Sequence, residues 1–112
     1  TMLATTNVRF KSAIESCLEC AVACDQCLDA SLSEDSQSTR ADLIRACLDC
    51  AAICRTTATL LSRGSSIATD LCRVCIEACL RCESECSQGG DEACKQCASL
   101  CEACEDALRS IS

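Results

Sequence analysis

The chain has 112 residues, 16 of them cysteine, with one aromatic residue, no histidine, no proline and a formal net charge of −7 at pH 7. That length suits a single core, and the acidic balance excludes a conventional nucleic-acid binder, which carries a basic stripe. No apolar run is long enough to span a membrane, and residues 1–11 show no basic segment followed by an apolar one. The chain therefore reads as cytoplasmic, although a removed export signal would leave no trace.

The absence of proline and the abundance of Ala, Leu, Glu and Arg favour helix throughout. The first predicted helix covers residues 5–32 and carries Cys17, Cys20, Cys24 and Cys27. After a polar loop at 33–37, a second helix at 38–63 carries Cys47, Cys50 and Cys54. Gly64 suits the left-handed position after a helix end, and Ser65 or Ser66 is expected to cap the third helix. That helix runs to Ser87 with Cys72, Cys75, Cys79, Cys82 and Cys86, and ends at Gly89-Gly90. Asp91 is the expected N-cap of the fourth, which continues to Arg109 with Cys94, Cys97, Cys101 and Cys104.

Within each helix the cysteines are three and four residues apart, the spacing of the heptad seam, so they share one stripe. Short connections make neighbours antiparallel. The predicted fold is all-α: one domain over residues 1–112, an up-down-up-down four-helix bundle whose core is lined with thiols. Charged residues such as Glu15, Glu19, Asp25, Asp29, Glu77, Arg81 and Glu85 mark outer faces. Ile14, Leu18, Ala21, Leu28, Ile44, Leu48 and Ala51 flank the seam and are expected to pack neighbouring helices.

The two ends of the seam differ. At one end it continues into Thr6, Phe10, Ala13, Thr57, Leu61, Ala68, Leu108 and Ile111, an ordinary plug. At the other it reaches Cys27, Cys82, Cys86 and Cys94, beside Glu34, Asp35 and Asp91. That end is expected to be a thiol-lined, acidic mouth.

Cysteine serves as a small hydrophobe at one or two core positions, but not at sixteen seam positions. An even count suggests a disulfide framework. However, helical neighbours lie about 5–6 Å apart, beyond the roughly 3.5–4.5 Å between Cβ atoms that a disulfide needs. Iron–sulfur motifs wrap a cluster with a loop, often closing on Cys-Pro, whereas Ala, Leu and Glu fill the gaps here. A redox-active thiol needs an exposed, activated cysteine, for which Cys94 near Asp91 is the best candidate. A purely structural helical module is the remaining alternative. Zinc would occupy about four isolated tetrahedral sites, each with two uncompensated negative charges. Soft, monovalent Cu(I) fits better, because it selects thiolates and tolerates two-coordination. If each sulfur bridges two coppers, the numbers match at about sixteen per chain and the core is neutral.

Four helices carrying Cys-x-x-Cys-x-x-x-Cys runs, most specifically "CRVCIEACLRCESEC" and "CKQCASLCEAC", resemble the bacterial copper storage protein family along essentially the whole chain. The resemblance implies storage or sequestration of Cu(I) without catalysis, uptake at one bundle end and assembly into a tetramer. It also implies all sixteen cysteines as ligands; a copper chaperone is a candidate donor or acceptor. Family members often place histidine or methionine near the mouth; this chain has no histidine, and Met2 lies towards the plugged end.

Overall fold

Four proline-free segments form four helices, α1 Met2–Leu32, α2 Ala41–Ser62, α3 Ala68–Ser87 and α4 Glu92–Arg109. The computed structural model describes the backbone of residues 2–33 and 40–111, with side chains from Phe10 onward within those limits. Each helix packs against its chain neighbours and α1 against α4, while α1 and α3, like α2 and α4, face each other across the diagonal. This is the expected four-helix bundle, 53 Å along its longest axis. No described helix is long and apolar enough to cross a membrane.

The helix ends depart from expectation in instructive ways. α1 begins at Met2, ahead of the expected residue 5. The expected start of α2 at residue 38 lies outside the described residues; the described helix begins at Ala41, after Arg40, without a side-chain cap. Neither Ser65 nor Ser66 is the residue flanking α3. That residue is Ile67, and Ser65 stands one turn earlier, accepting hydrogen bonds from Ile67 N through Oγ and from Ala68 N through its carbonyl. Asp91 is the N-cap expected, its carboxylate accepting from Cys94 N at 2.8 Å. Gly64, at φ +64°, ends α2 with paired bonds from Gly64 N to Leu61 O and from Ser65 N to Leu60 O. That double closure needs the left-handed conformation which glycine adopts without a Cβ penalty.

Alanines do most of the packing between helices. Ala21, Ala23, Ala46, Ala51 and Ala58 are buried beside the seam, and Ala13, Leu43, Leu61, Ala68 and Leu108 are buried where the seam continues beyond the cysteines. Small flanking residues let the helices approach until the thiols meet at the axis. Ile14 and Leu28 pack partly as expected. Leu18 and Leu48 do not: each follows a seam cysteine by one residue, is turned outward, and is about half exposed. Across the outside, Arg55 pairs with Asp25 and Arg81 with Asp49, joining α2 to α1 and α3 to α2. Such exposed pairs contribute at most about 1 kcal/mol each and serve mainly to fix register.

Burial of Leu61 and Leu108, about 1.5–3 kcal/mol each, and the alanine contacts need no metal. Reduced, metal-free protein is therefore expected to give a helical circular-dichroism spectrum. A random-coil spectrum would place it among proteins that fold only on binding metal.

Candidate metal centre

All sixteen cysteines are free thiols, and none is more than 1% exposed. The heptad spacing is the cause: on four facing helices it turns every seam residue to the axis. Thiols meet between neighbours, as with Cys20 and Cys101 at 3.6 Å, Cys54 and Cys75 at 3.7 Å and Cys17 and Cys104 at 3.7 Å. They also meet across the diagonal, Cys24 with Cys82 at 3.8 Å and Cys27 with Cys86 at 3.7 Å. The shortest separation is Cys27 to Cys94, 3.1 Å.

Five groups of four thiols have all their sulfurs within 4.8 Å of one another. From the end at Gly89 and Gly90, the glycine end, they are Cys27, Cys47, Cys86 and Cys97; then Cys24, Cys82, Cys97 and Cys101; then Cys20, Cys24, Cys50 and Cys101. Cys20, Cys50, Cys54 and Cys79 follow, and Cys54, Cys75, Cys79 and Cys104 come last. Each group shares one or two thiols with the next, so seven cysteines (Cys20, Cys24, Cys50, Cys54, Cys79, Cys97 and Cys101) belong to two groups each. The arrangement is a continuous column rather than a row of separate sites. Cys17 and Cys94 extend it at the ends. Cys72 stands apart, with no thiol hydrogen bond among the described residues.

Electrostatics follows from this packing. Burial pushes the Cys72 thiol up to about 11. Cys94 is also raised, first by burial and then by Cys27 and Asp91. Cys20 is held low by hydrogen bonds from surrounding thiols, Cys101 foremost. A metal that replaces those protons must release them, so binding is coupled to pH.

The two ends differ, though not simply as plug and mouth. At the expected plug, Leu61 and Leu108 are buried, but a cavity of about 210 Å³ reaches Cys72 between Phe10, Leu61, Ala68, Thr69 and Ile111. At the other end Cys27, Cys86 and Cys94 have no exposed surface. Glu34 and Asp35, expected at its rim, lie outside the described residues. Asp91 is there and is held below the usual carboxylate range, chiefly by the Cys94 backbone N–H. Beside it lies Arg40, which the acidic-mouth reading missed. The signal was present: Arg40 and Leu43 precede Cys47 by seven and four residues, in register with the seam. These two occupy the seam of α2 beyond its three cysteines. Gly89 is fixed in the same layer, since a Cβ there would fall 2.6 Å from Cys94 Sγ.

One buried acid lies beside the column. Glu105 is 3% exposed; its Oε1 is 3.7 Å from Arg109, and Oε2 has no hydrogen-bond partner. Burial first, then Glu83 on α3, pushes its carboxyl up to about 8 against the pull of Arg109. A carboxyl raised in the folded state stabilises below its unfolded value, about 4.3, and that contribution is lost as pH rises towards 8. Urea unfolding should therefore show stability falling from pH 5 to pH 8, with a smaller fall in Glu105→Gln. Equal slopes for the two proteins would contradict this assignment.

The copper storage protein family profile matches residues 6–112. The fold superposes on a cytosolic copper storage protein from Streptomyces lividans, solved with five coppers, at a TM-score of 0.90 and 34% identity, covering 96% of this chain and 94% of that one. It also superposes on the Cu(I)-bound copper storage protein BsCsp3 at a TM-score of 0.88 and 29% identity, covering 92% and 97%. An uncharacterized cysteine-rich protein of Bacillus subtilis, YhjQ, is 29% identical over 102 residues, 91% of this chain and 94% of that protein. With its bundle, its thiol column and a match over nearly its whole length, the chain belongs to the copper storage protein family.

Proposed function

We propose that this protein stores Cu(I) along its axis, with all sixteen cysteines as ligands and a capacity of about one copper per thiol. The observation that carries the reading is the sharing of seven thiols between overlapping groups. A sulfur that serves two groups is placed to bridge two metals. Bridged two-coordinate Cu(I) equalises copper and thiolate numbers and leaves a neutral core, as a water-free interior requires. The family points to storage and not to catalysis. The free, buried thiols favour metal storage over a redox role, which needs an exposed and activated cysteine.

Titration of reduced protein with Cu(I) against a strong chelator tests this. Saturation near sixteen per chain is expected; saturation near four would contradict the bridged column. The domain is one unit over residues 1–112, and a copper chaperone is the natural donor or acceptor. A cytosolic location is supported by the relative described as cytosolic. Assembly into a tetramer is supported by the outward Leu18, Val22, Leu48, Val74 and Leu80, each about half exposed. A monomer in sedimentation equilibrium would refute that assembly.

A further inference from the structure

The thiols nearest the glycine end are fully covered, so copper cannot reach them by that route unless a group moves. The layer above them is polar: Ser31 at the end of α1, Arg40 at the start of α2, Gly89 after α3 and Asp91 before α4. Arg40 ties this layer together. Its Nη1 donates to Ser31 Oγ at 3.0 Å and lies 3.8 Å from Cys94 Sγ, while Nη2 donates to the Gly89 carbonyl at 3.4 Å. Nη1 is also 3.0 Å from Asp91 Oδ2, and its side chain is only 13% exposed. That carboxylate oxygen is buried, and the Arg40 guanidinium is the cation that compensates it.

Ser31 is fixed within α1, and Gly89 is pressed against Cys94 with no room for a methyl group. Asp91 is committed through its other oxygen to the cap of α4. Of these four described residues, Arg40 alone has a long flexible stem that can swing into water without moving a helix. We infer that Arg40 is the gate of the thiol end, closed over Cys94 by Ser31, Gly89 and Asp91, and that its release sets the rates at which Cu(I) enters and leaves the column. The inference rests on the storage reading above. Because a gate is passed in both directions, it changes rates and leaves capacity and affinity alone.

Two variants separate the gate from a merely structural contact. Arg40→Ala removes the guanidinium. Asp91→Asn removes the ion pair and keeps the helix cap, since asparagine caps as well as aspartate. Stopped-flow uptake from a chromophoric Cu(I)–chelator complex, and release to an excess of a stronger chelator, give both rates. Circular dichroism checks folding, and Asp91→Asn carries the test if Arg40→Ala is misfolded. Losing charged hydrogen bonds that are partly open to solvent should speed both rates by about tenfold in Arg40→Ala and by a smaller factor in Asp91→Asn. Copper per chain and affinity should be unchanged. Unchanged rates in both variants overturn the gate. A change in uptake alone also overturns it, since that would mark long-range charge steering. Failure of the unaltered protein to bind Cu(I) overturns the storage reading instead, so the two failures are distinguishable.

Discussion

Zinc(II) should saturate the reduced protein at about three ions per chain, against about sixteen for Cu(I). Zinc in a closed site takes four ligands of its own in a tetrahedron. Of the five four-thiol groups, at most three share no sulfur: Cys27, Cys47, Cys86, Cys97; Cys20, Cys24, Cys50, Cys101; and Cys54, Cys75, Cys79, Cys104. The composition alone suggested about four zinc ions; the observed grouping lowers the number because Cys17, Cys72 and Cys94 belong to no group. Each four-thiolate zinc keeps two negative charges in a water-free core, a cost that neutral bridged copper avoids. Competition titrations monitored by metal analysis on the same protein would settle the ratio. Equal saturation numbers for the two metals would remove the charge-balance argument.

The column was legible in the sequence because its signal is periodic. Sixteen cysteines three and four apart on four proline-free segments specify both the helices and the direction their thiols face, and the glycines mark where two helices stop. Less legible were features that depend on one residue meeting another. The start of α3 could not be read from Ser65 or Ser66, because the serine that turns the chain stands a turn before the helix. Leu18 and Leu48 were expected to pack neighbouring helices, but each follows the first cysteine of a Cys-x-x-Cys pair and faces out, whereas Ala21 and Ala51 follow the second and are buried. The polar layer at the glycine end was missed for a different reason. The seam of α2 runs not only forward to Thr57 and Leu61 but also back from Cys47 to Leu43 and Arg40, where an arginine stands in place of a thiol. Glu105 follows Cys104 as Ala21 follows Cys20 and Ala51 follows Cys50, a flanking register that is buried in all three, so its position was legible although its acidity pointed outward.

Replacing Cys27, Cys82, Cys86 and Cys94 by alanine should slow copper loading more than replacing Cys17, Cys54, Cys72 and Cys104. The two sets are matched. Each removes four thiols, and each breaks two of the five groups. They differ in place: the first lies under Arg40 and Asp91, the second near Phe10, Leu61 and Leu108. If copper enters from the Arg40 end, the first set removes the thiols that receive it and hand it inward, while the second removes only the last to fill. A roughly tenfold difference in initial rate is expected, which corresponds to about 1.4 kcal/mol on the barrier to entry. The cavity between Phe10 and Ile111 makes the comparison a real contest, because Cys72 lines it and could receive copper from that side. Slower loading in the second set would make the cavity the route in and leave Arg40 a structural clasp. Equal rates would mean that neither end controls uptake. The variants should fold alike, since each keeps the buried alanines and leucines that hold the helices together, and circular dichroism of the two metal-free proteins checks this before any rate is compared.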